Sequence, residues 1–118
     1  MLYAIRAVGT EFIKFGRAKN IGRRLKGMDT GCPHELEVLV VADWPDGQEK
    51  AIHLYLADRW HRLEWFKDGD RPQQVIAWMA DKQKGLAQFL EALTSAERGS
   101  WRRVPAKERR LEEARNAR

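Results

Sequence analysis

Three side chains near the start of the chain carry the chemical groups that a phosphodiester-binding site needs. Tyr3 supplies a phenol, Lys14 an ammonium group and Arg24 a guanidinium group. A guanidinium can bind the non-bridging oxygens of a phosphate, and neighbouring cations lower the pKa of a tyrosine towards use as a general base. On these residues alone a structural interpretation is favoured, in which Tyr3 lies at the edge of the core and Arg24 is a surface charge.

A carboxylate and a histidine lie one helical turn apart further along the chain. Glu49 and His53 could therefore address one site. Mg²⁺ in proteins is typically held by one or two carboxylates and several waters, which makes Glu49 a candidate ligand. In the first turn of a helix, Glu49 could instead only favour the helix dipole, and a lone histidine on a helix is more often structural. Glu64, in the triplet EWF, lies either at the surface or at the edge of such a site.

The elements that must position these side chains follow from the hydrophobic pattern. The segments LYAIRAV and FIKFG, separated by a turn over 8–11, predict an antiparallel hairpin that places Tyr3 and Lys14 on neighbouring strands. After the hairpin, Asn20 is expected to cap a short basic helix over 20–28. This helix would bring Arg24 one layer away from the hairpin, so that the phenol, the ammonium and the guanidinium converge.

The second half of the sequence predicts one more strand and further helices. ELEVLVVADW indicates a strand buried on both faces, because four apolar residues stand in a row. QEKAIHLYLADRW predicts a helix with Ile52, Leu56 and Trp60 facing inward. From Pro72 the apolar spacing is helical up to residue 93, and Gly85 allows either one long helix or two. The pattern predicts a small α+β domain with a three-stranded sheet.

The excess positive charge lies at the C-terminal end. The 118 residues have a formal net charge of +5, and residues 98–118 contain eight basic and three acidic residues. The first 97 residues are therefore formally neutral. A basic segment of this kind is either a solvated helix or an arm that contacts phosphates, with Arg102 and Arg103 as candidate nucleic-acid contacts.

The remaining composition indicates a cytoplasmic protein without a membrane partner. No segment approaches the ~20 apolar residues that a membrane-spanning helix needs, and the N-terminus lacks the features of a secretory signal. The single cysteine, Cys32, fits a reducing compartment and is interpreted as a small loop or core residue.

Four short segments, in order along the chain, resemble one known superfamily. Leu2-Tyr3-Ala4 stands in the place of a first motif and Lys14-Phe15-Gly16 in the place of a second. The E-x-x-I-H pattern over 49–53 and the triplet over 64–66 follow. In combination these segments resemble the GIY-YIG endonuclease superfamily, and in particular a short phage and bacterial branch in which lysine commonly replaces the second tyrosine. The resemblance covers residues 1–80.

The resemblance implies a fold and a division of the chain. The implied fold is α+β, a small three-stranded antiparallel sheet flanked by helices and followed by C-terminal helices. Residues 1–80 would form the nuclease-like domain, residues 81–97 would continue the C-terminal helix, and residues 98–118 would be a basic tail that is helical or partly disordered.

Roles for individual residues are also implied by the resemblance. Tyr3 matches the tyrosine proposed as general base or water-positioning group, and Arg24 matches the arginine that binds the scissile phosphate. Glu49 matches the single carboxylate ligand of a divalent metal, and His53 lies close to it on the same helix as a further catalytic candidate. Lys14 replaces the second tyrosine, so either it assists proton transfer and charge stabilisation or the activity is altered.

Together these observations predict an endonuclease that hydrolyses phosphodiester bonds, in DNA rather than RNA, with Mg²⁺ or Mn²⁺. Arg17, Lys19 and Arg23 are expected to attract phosphates generally, as are the tail arginines. The alternative is a catalytically weak module on the same fold, which binds nucleic acid or, through the basic tail, a protein partner. Binding without turnover across metals and substrates would distinguish the alternative from the enzyme. The role of Glu64 stays open at this point.

Overall fold

The structure, a computed structural model, describes residues 1–31 and 34–97 of the chain, and for residues 29–31 and 96–97 it describes the backbone alone. The described part is an α+β fold in which helices accompany one five-stranded antiparallel sheet of order β3-β1-β2-β5-β4. The elements are β1 Leu2–Ala7, β2 Phe12–Arg17, α1 Ile21–Gly31, β3 Leu36–Ala42, α2 Gln48–Tyr55, a 3₁₀ turn Ala57–Arg59, β4 Trp60–Arg62, β5 Trp65–Lys67, α3 Asp70–Ala80 and α4 Gly85–Glu97.

The predicted β1–β2 hairpin is confirmed, and its register determines which side chains share a face. Gly9 turns the chain with a φ of 85°, a left-handed conformation that favours glycine. Tyr3 pairs with Gly16, and Ile5 pairs with Lys14. Because side chains alternate along a strand, these four residues lie on one face of the hairpin, which we call the site face.

The three-stranded sheet predicted from the sequence is wrong, because β4 and β5 form a second hairpin. Each of these strands has three residues, which is too short for an alternating pattern to be recognised. Trp60 was expected to face inward from a helix. The α2 helix ends at Tyr55 instead, and Trp60 begins β4 with 40% of its surface exposed. Strand β5 pairs with β2, so this hairpin extends the sheet beside the site face.

The burial of strand β3 is also predicted wrongly from its composition. The apolar run predicted burial on both faces, but most of β3 is half-buried or exposed, and Val38 is 39% exposed. Within the described residues β3 pairs with β1 alone and so lies at an edge of the sheet. The run of β-branched residues reflects strand propensity at this edge rather than full burial.

The core lies on the face of the sheet opposite the site face. Ile13 and Phe15 of β2 pack there with buried residues of α2, α3 and α4. Phe89 of α4 is fully buried and stacks on Trp44, with ring centroids 5.4 Å apart. Burying a side chain of this size stabilises the fold by about 1.5–3 kcal/mol. The core therefore anchors β2 from behind.

Two helices, rather than one, form the C-terminal part of the described chain. Helix α3 ends at Ala80, and α4 begins at Gly85. A Cβ atom at Gly85 would lie 1.6 Å from the carbonyl oxygen of Trp78, so only glycine allows this close approach. Residues 81–97, expected to continue one helix, are thus a turn followed by a separate helix.

Helix α1 begins where the sequence predicts. The side-chain oxygen Oδ1 of Asn20 accepts a hydrogen bond of 2.9 Å from the backbone N–H of Arg23, which confirms the N-cap. The helix extends to Gly31, three residues beyond the predicted end. The predictions for Cys32, for the tail 98–118 and for its Arg102 and Arg103 lie outside the described residues. None of the helices that the structure describes is long and apolar enough to span a membrane.

Candidate active site

Tyr3 lies at the centre of the site face, and its phenol crosses the neighbouring strand at Gly16. Tyr3 is almost completely buried. A Cβ atom at Gly16 would lie 2.5 Å from Oη and 2.7 Å from Cζ of Tyr3, closer than a real side chain can approach. Gly16 is therefore the residue type that the position of the phenol requires, and this explains the glycine of the KFG segment.

Arg24 of α1 reaches the same phenol. Its Nε donates a hydrogen bond to Tyr3 Oη at 3.5 Å, which is long for such a bond. The residue itself is exposed, so the guanidinium lies between the buried phenol and solvent. The structure thus brings together the phenol and the guanidinium that the sequence placed 21 residues apart.

The phenol of Tyr3 is protonated at neutral pH. Burial of the side chain raises its pKa above the ordinary value, and the charges of Glu64 and Glu49 raise it further. The hydrogen bond and the charge of Arg24 lower the pKa of Tyr3 but do not offset burial. The expectation that nearby cations bring the pKa of this tyrosine down towards use as a general base is therefore wrong for this structure, because desolvation has the larger effect. The same hydrogen bond raises the pKa of Arg24, which stays charged.

Lys14 lies on the site face beside a carboxylate from the second hairpin. Its Nζ is 3.7 Å from Oε1 of Glu64 and 5.8 Å from the ring centroid of Trp65. The lysine side chain is only 15% exposed. Glu64 Oε1 would also lie 3.1 Å from a Cβ atom at Gly16, close to the Tyr3 phenol. Lys14 and Glu64 therefore form one wall of the site beside Tyr3.

Glu49, the candidate metal ligand, lies in the first turn of α2. Its side chain is 18% exposed, and its Oε1 is 3.2 Å from Nε of Arg17. The charge of Glu49 contributes to the pKa shifts of both Tyr3 and Arg24, so it acts on the same site. In the part of the chain that the structure describes, no group of three or more His, Cys, Asp or Glu side chains could hold a metal ion. A single carboxylate fits a Mg²⁺-type ion that is bound mainly by waters and substrate phosphates.

His53, the further catalytic candidate, contacts the backbone of β2. Its Nε2 donates a hydrogen bond of 2.7 Å to the backbone carbonyl of Phe15, and its ring lies 5.1 Å from that of Phe66. The histidine therefore ties α2 to β2 at the residue between Lys14 and Gly16. It positions the strand that carries the site, while Nε2 is occupied by the backbone.

One comparison with known proteins identifies the family of this chain. The family model of the T5orf172 domain matches residues 2–81. The chain belongs to the T5orf172 domain family. The family is phage-associated and related to nuclease-like folds. No curated protein and no solved structure matches the chain significantly. The matched range of the T5orf172 domain ends one residue after α3, so α4 and the basic tail lie beyond it.

A basic groove borders the site in the T5orf172 domain. It has a volume of about 630 Å³ and runs from the end of β2 along the start of α1. Four cationic side chains line it: Arg17, Lys19, Arg23 and Arg24. The first three are those expected from the sequence to attract phosphates, and the groove joins them to the guanidinium that contacts Tyr3.

Two features of this T5orf172 domain were not predicted from the sequence. The position of Glu64 was not predicted, and the structure places it against Lys14, fifty positions earlier in the chain. A signal for this placement was absent from the sequence, because the short strand β5 that aligns the two residues was not recognisable. Arg17 was predicted only to attract phosphates in general, whereas in the structure it pairs with Glu49.

Proposed function

We propose that this T5orf172 domain is a metal-dependent endonuclease that hydrolyses phosphodiester bonds in DNA with a site of the GIY-YIG type. The observation that carries the proposal is the contact between the buried phenol of Tyr3 and the guanidinium of Arg24, made across Gly16 and beside Lys14. A phenol, a guanidinium and an ammonium on one face are the groups that bind a phosphodiester and offset its developing charge.

Arg24 binds the scissile phosphate in this proposal. A guanidinium has five N–H donors in a planar fork, and the Nε donor is directed at Tyr3. This hydrogen bond, although long, directs Nε towards the phenol and leaves the remaining donors for the non-bridging oxygens. Lys14 adds a second positive charge on the same face and stabilises the additional negative charge of the transition state.

Tyr3 positions the attacking water. Because burial keeps the phenol protonated, Tyr3 acts through its hydrogen bonds and not as a preformed phenolate. The phenol cannot rotate away, since β2 passes directly beneath it at Gly16. A group fixed in this way contributes orientation, which is a large part of catalysis in phosphoryl transfer.

Glu49 would hold Mg²⁺ or Mn²⁺ in this proposal. The bound ion would polarise a phosphoryl oxygen and stabilise the leaving oxygen. Arg17 orients the Glu49 carboxylate through their contact of 3.2 Å. His53 keeps α2 against β2. It thereby fixes the helix that carries Glu49 relative to the strand that the Tyr3 phenol crosses at Gly16.

The basic groove gives the domain affinity for the DNA backbone without reading its sequence. Each phosphate contact made there is expected to add about −0.9 to the slope of log affinity against log salt concentration on duplex DNA. Arg102 and Arg103 of the tail would add further contacts of the same kind. Protein that ends at Ser100 should then show a smaller salt slope, and an unchanged slope would remove the tail from the DNA interface.

The test is a cleavage assay on single-stranded and double-stranded DNA and on RNA, with Mg²⁺ or Mn²⁺. The wild-type protein should cleave DNA, and Glu49→Ala should lose cleavage. Glu37→Ala, which removes an exposed carboxylate from the edge strand β3, is the matched control and should cleave normally. Undiminished cleavage by Glu49→Ala would contradict the metal assignment.

A second function is favoured by one specific observation. Lys14 stands at the position of the second tyrosine of the GIY-YIG superfamily, and it is paired with Glu64. A site altered in this way could bind nucleic acid, or a protein partner through the tail, with little turnover. This alternative predicts salt-dependent DNA binding with no cleavage under any metal, or binding to protein that is lost when residues after Ser100 are deleted.

A further inference from the structure

We infer that Glu64 is the catalytic residue that takes the proton from the attacking water, an assignment that rests on the proposed nuclease function. The candidate is a carboxylate that the fold places on the site face without giving it a complete set of hydrogen bonds. None of the catalytic roles proposed above is assigned to Glu64.

The first observation is an unsatisfied buried oxygen. Oε1 of Glu64 is buried, and it has no hydrogen-bond partner among the described residues. The Nζ of Lys14 is 3.7 Å away, within reach of an ion pair but too far for a hydrogen bond. Buried polar atoms are almost always hydrogen-bonded, so each exception calls for an explanation. A proton acceptor that works on a transient water is such an explanation.

The second observation is the direction of this oxygen. Oε1 of Glu64 and Oη of Tyr3 would lie 3.1 Å and 2.5 Å, respectively, from one point, the Cβ position of Gly16. The two oxygens are therefore neighbours on the site face. A water bound to the phenol of Tyr3 would have a carboxylate oxygen close by as acceptor for its proton.

The third observation is how the backbone holds Glu64. The preceding residue, Leu63, has a φ of 52°, a conformation that a leucine rarely adopts. Leu63 is 71% exposed, so packing of the leucine does not explain this conformation. The carbonyl oxygen of Glu64 accepts a hydrogen bond of 3.1 Å from the N–H of Phe15. Strained backbone kept in place by its surroundings clusters at functional sites, and here it directs the next side chain onto the site face.

The other candidates on or near the site face are already engaged. The phenol of Tyr3 is protonated at neutral pH because it is buried. Nε2 of His53 donates to the backbone carbonyl of Phe15. Glu49 is paired with Arg17 at 3.2 Å. Glu64 is the remaining carboxylate that the structure shows beside the phenol.

The step is a direct displacement at phosphorus. The water oxygen attacks the phosphorus while its proton passes to the Glu64 carboxylate. The new P–O bond forms as the bond to the leaving oxygen breaks, and the leaving oxygen takes a proton from solvent water. Glu64 then returns its proton to solvent. The charge of Lys14, beside the carboxylate, faces the phosphoryl oxygens during the displacement.

The experiment is chemical rescue of Glu64→Ala by formate. With DNA and Mn²⁺, Glu64→Ala should lower kcat by about 10²–10⁴-fold with KM nearly unchanged, which is the range for loss of a general base. Formate, a carboxylate small enough for the space left by the side chain, should restore at least about a tenth of the lost activity, against chloride at equal ionic strength. Glu49→Ala should not respond to formate, and Glu37→Gln is the folded control with the same loss of charge.

Glu64→Gln serves if Glu64→Ala does not fold, because glutamine keeps the size of the side chain. Full activity of a folded Glu64→Gln, or a Glu64→Ala activity that ignores formate, would overturn the assignment while the nuclease proposal stands. Lys14→Met tests an indirect role. If Glu64 acted only by holding Lys14, Glu64→Gln would have no further effect in the Lys14→Met protein, which would also overturn the assignment. A wild-type protein that cleaves no DNA under any metal would overturn the nuclease proposal together with this inference.

Discussion

The β1–β2 and β4–β5 hairpins both deliver side chains to the candidate site, but they turn in different ways. The first hairpin has six-residue strands and places Gly9 at the left-handed position of its turn. The second has three-residue strands and places Leu63 at the corresponding left-handed conformation. The first turn is therefore made by the residue type that fits it, whereas the second is held by its surroundings.

The difference separates the supporting part of the fold from the strained part. The first hairpin packs Ile13 and Phe15 into the core and holds Tyr3 rigidly on the other face. The second hairpin has one fully buried aromatic residue, Phe66, and presents Glu64 from a strained turn. Stability should thus depend mainly on the first hairpin, and the placement of Glu64 on the second.

Among the variants that compare the two hairpins, Gly16→Ala is expected to have the largest effect, because it displaces the Tyr3 ring on the first hairpin. The new Cβ would overlap the Tyr3 ring, and overpacking of this kind costs about 1–3 kcal/mol. Displacing the phenol should also lower the cleavage rate by about 10²-fold. Thermal unfolding and single-turnover cleavage measure the two effects. Gly47→Ala, where no atom lies within 4 Å of the new Cβ, is the control and should leave both unchanged. Wild-type behaviour of Gly16→Ala would contradict the position of the phenol.

Asp68→Asn tests the link between the two hairpins. Asp68 follows β5, and its Oδ2 accepts a hydrogen bond of 2.8 Å from Arg6 of β1. Burial raises the pKa of Asp68, but the bonds from Arg6, Gln73 and the Gly69 N–H outweigh it, so the pKa is lower than usual. A lowered pKa in the folded state means that the carboxylate stabilises the protein above its ordinary pKa of about 4 and loses this contribution as the pH falls below it.

The expected loss for Asp68→Asn is about 1 kcal/mol at pH 7, typical of a hydrogen bond to a charged group that is partly exposed. Denaturant unfolding of both proteins at pH 7 and near pH 3 measures it. The gap in stability should shrink towards the acidic end, since the wild-type carboxyl then becomes protonated. A gap that stays constant with pH would show that the charge of Asp68 contributes nothing.

The smallest effects should come from the two turns themselves, with opposite signs. Gly9→Ala places a side chain at a φ of 85° and should destabilise the protein by about 1 kcal/mol. Leu63→Gly relieves the strain at a φ of 52° and should leave stability unchanged or raise it by up to about 1 kcal/mol. If Leu63 directs Glu64, this variant should also cleave more slowly. Leu63→Asn is the control, because asparagine keeps a side chain at this position and tolerates the left-handed conformation. Clear destabilisation by Leu63→Asn would contradict the strain.

The first hairpin and the cap of α1 could be predicted because their signals are local. The β-compatible residue types on both sides of the turn, the glycine in the turn and Asn20 before the basic helix each depend on a few neighbouring positions. The second hairpin could not be predicted in this way, since its strands are short and Leu63 gives no turn signal. Glu64, the partner of Lys14, could not be predicted for the same reason. The edge position of β3 was also hidden, because an apolar run reports strand propensity and not which neighbours the strand has.

The chemical groups of the site were visible in the sequence, but their states were not. The convergence of Tyr3 and Arg24 followed from a predicted hairpin and helix. The direction of the Tyr3 pKa did not, because it depends on burial, and burial is a property of the folded sheet. The engagement of His53 with the Phe15 carbonyl likewise depends on how α2 docks on β2.

The most direct test of the account compares two adjacent arginines of α1. Arg23 and Arg24 both line the basic groove, and Arg24 contacts Tyr3. In single-turnover cleavage of labelled DNA with Mn²⁺, Arg24→Ala should lower the rate at saturating protein by about 10²–10³-fold. Arg23→Ala should keep that rate and weaken binding with a smaller salt slope. Equal rates for the wild-type protein and Arg24→Ala at saturation, or no cleavage by the wild-type protein under any metal, would contradict the account.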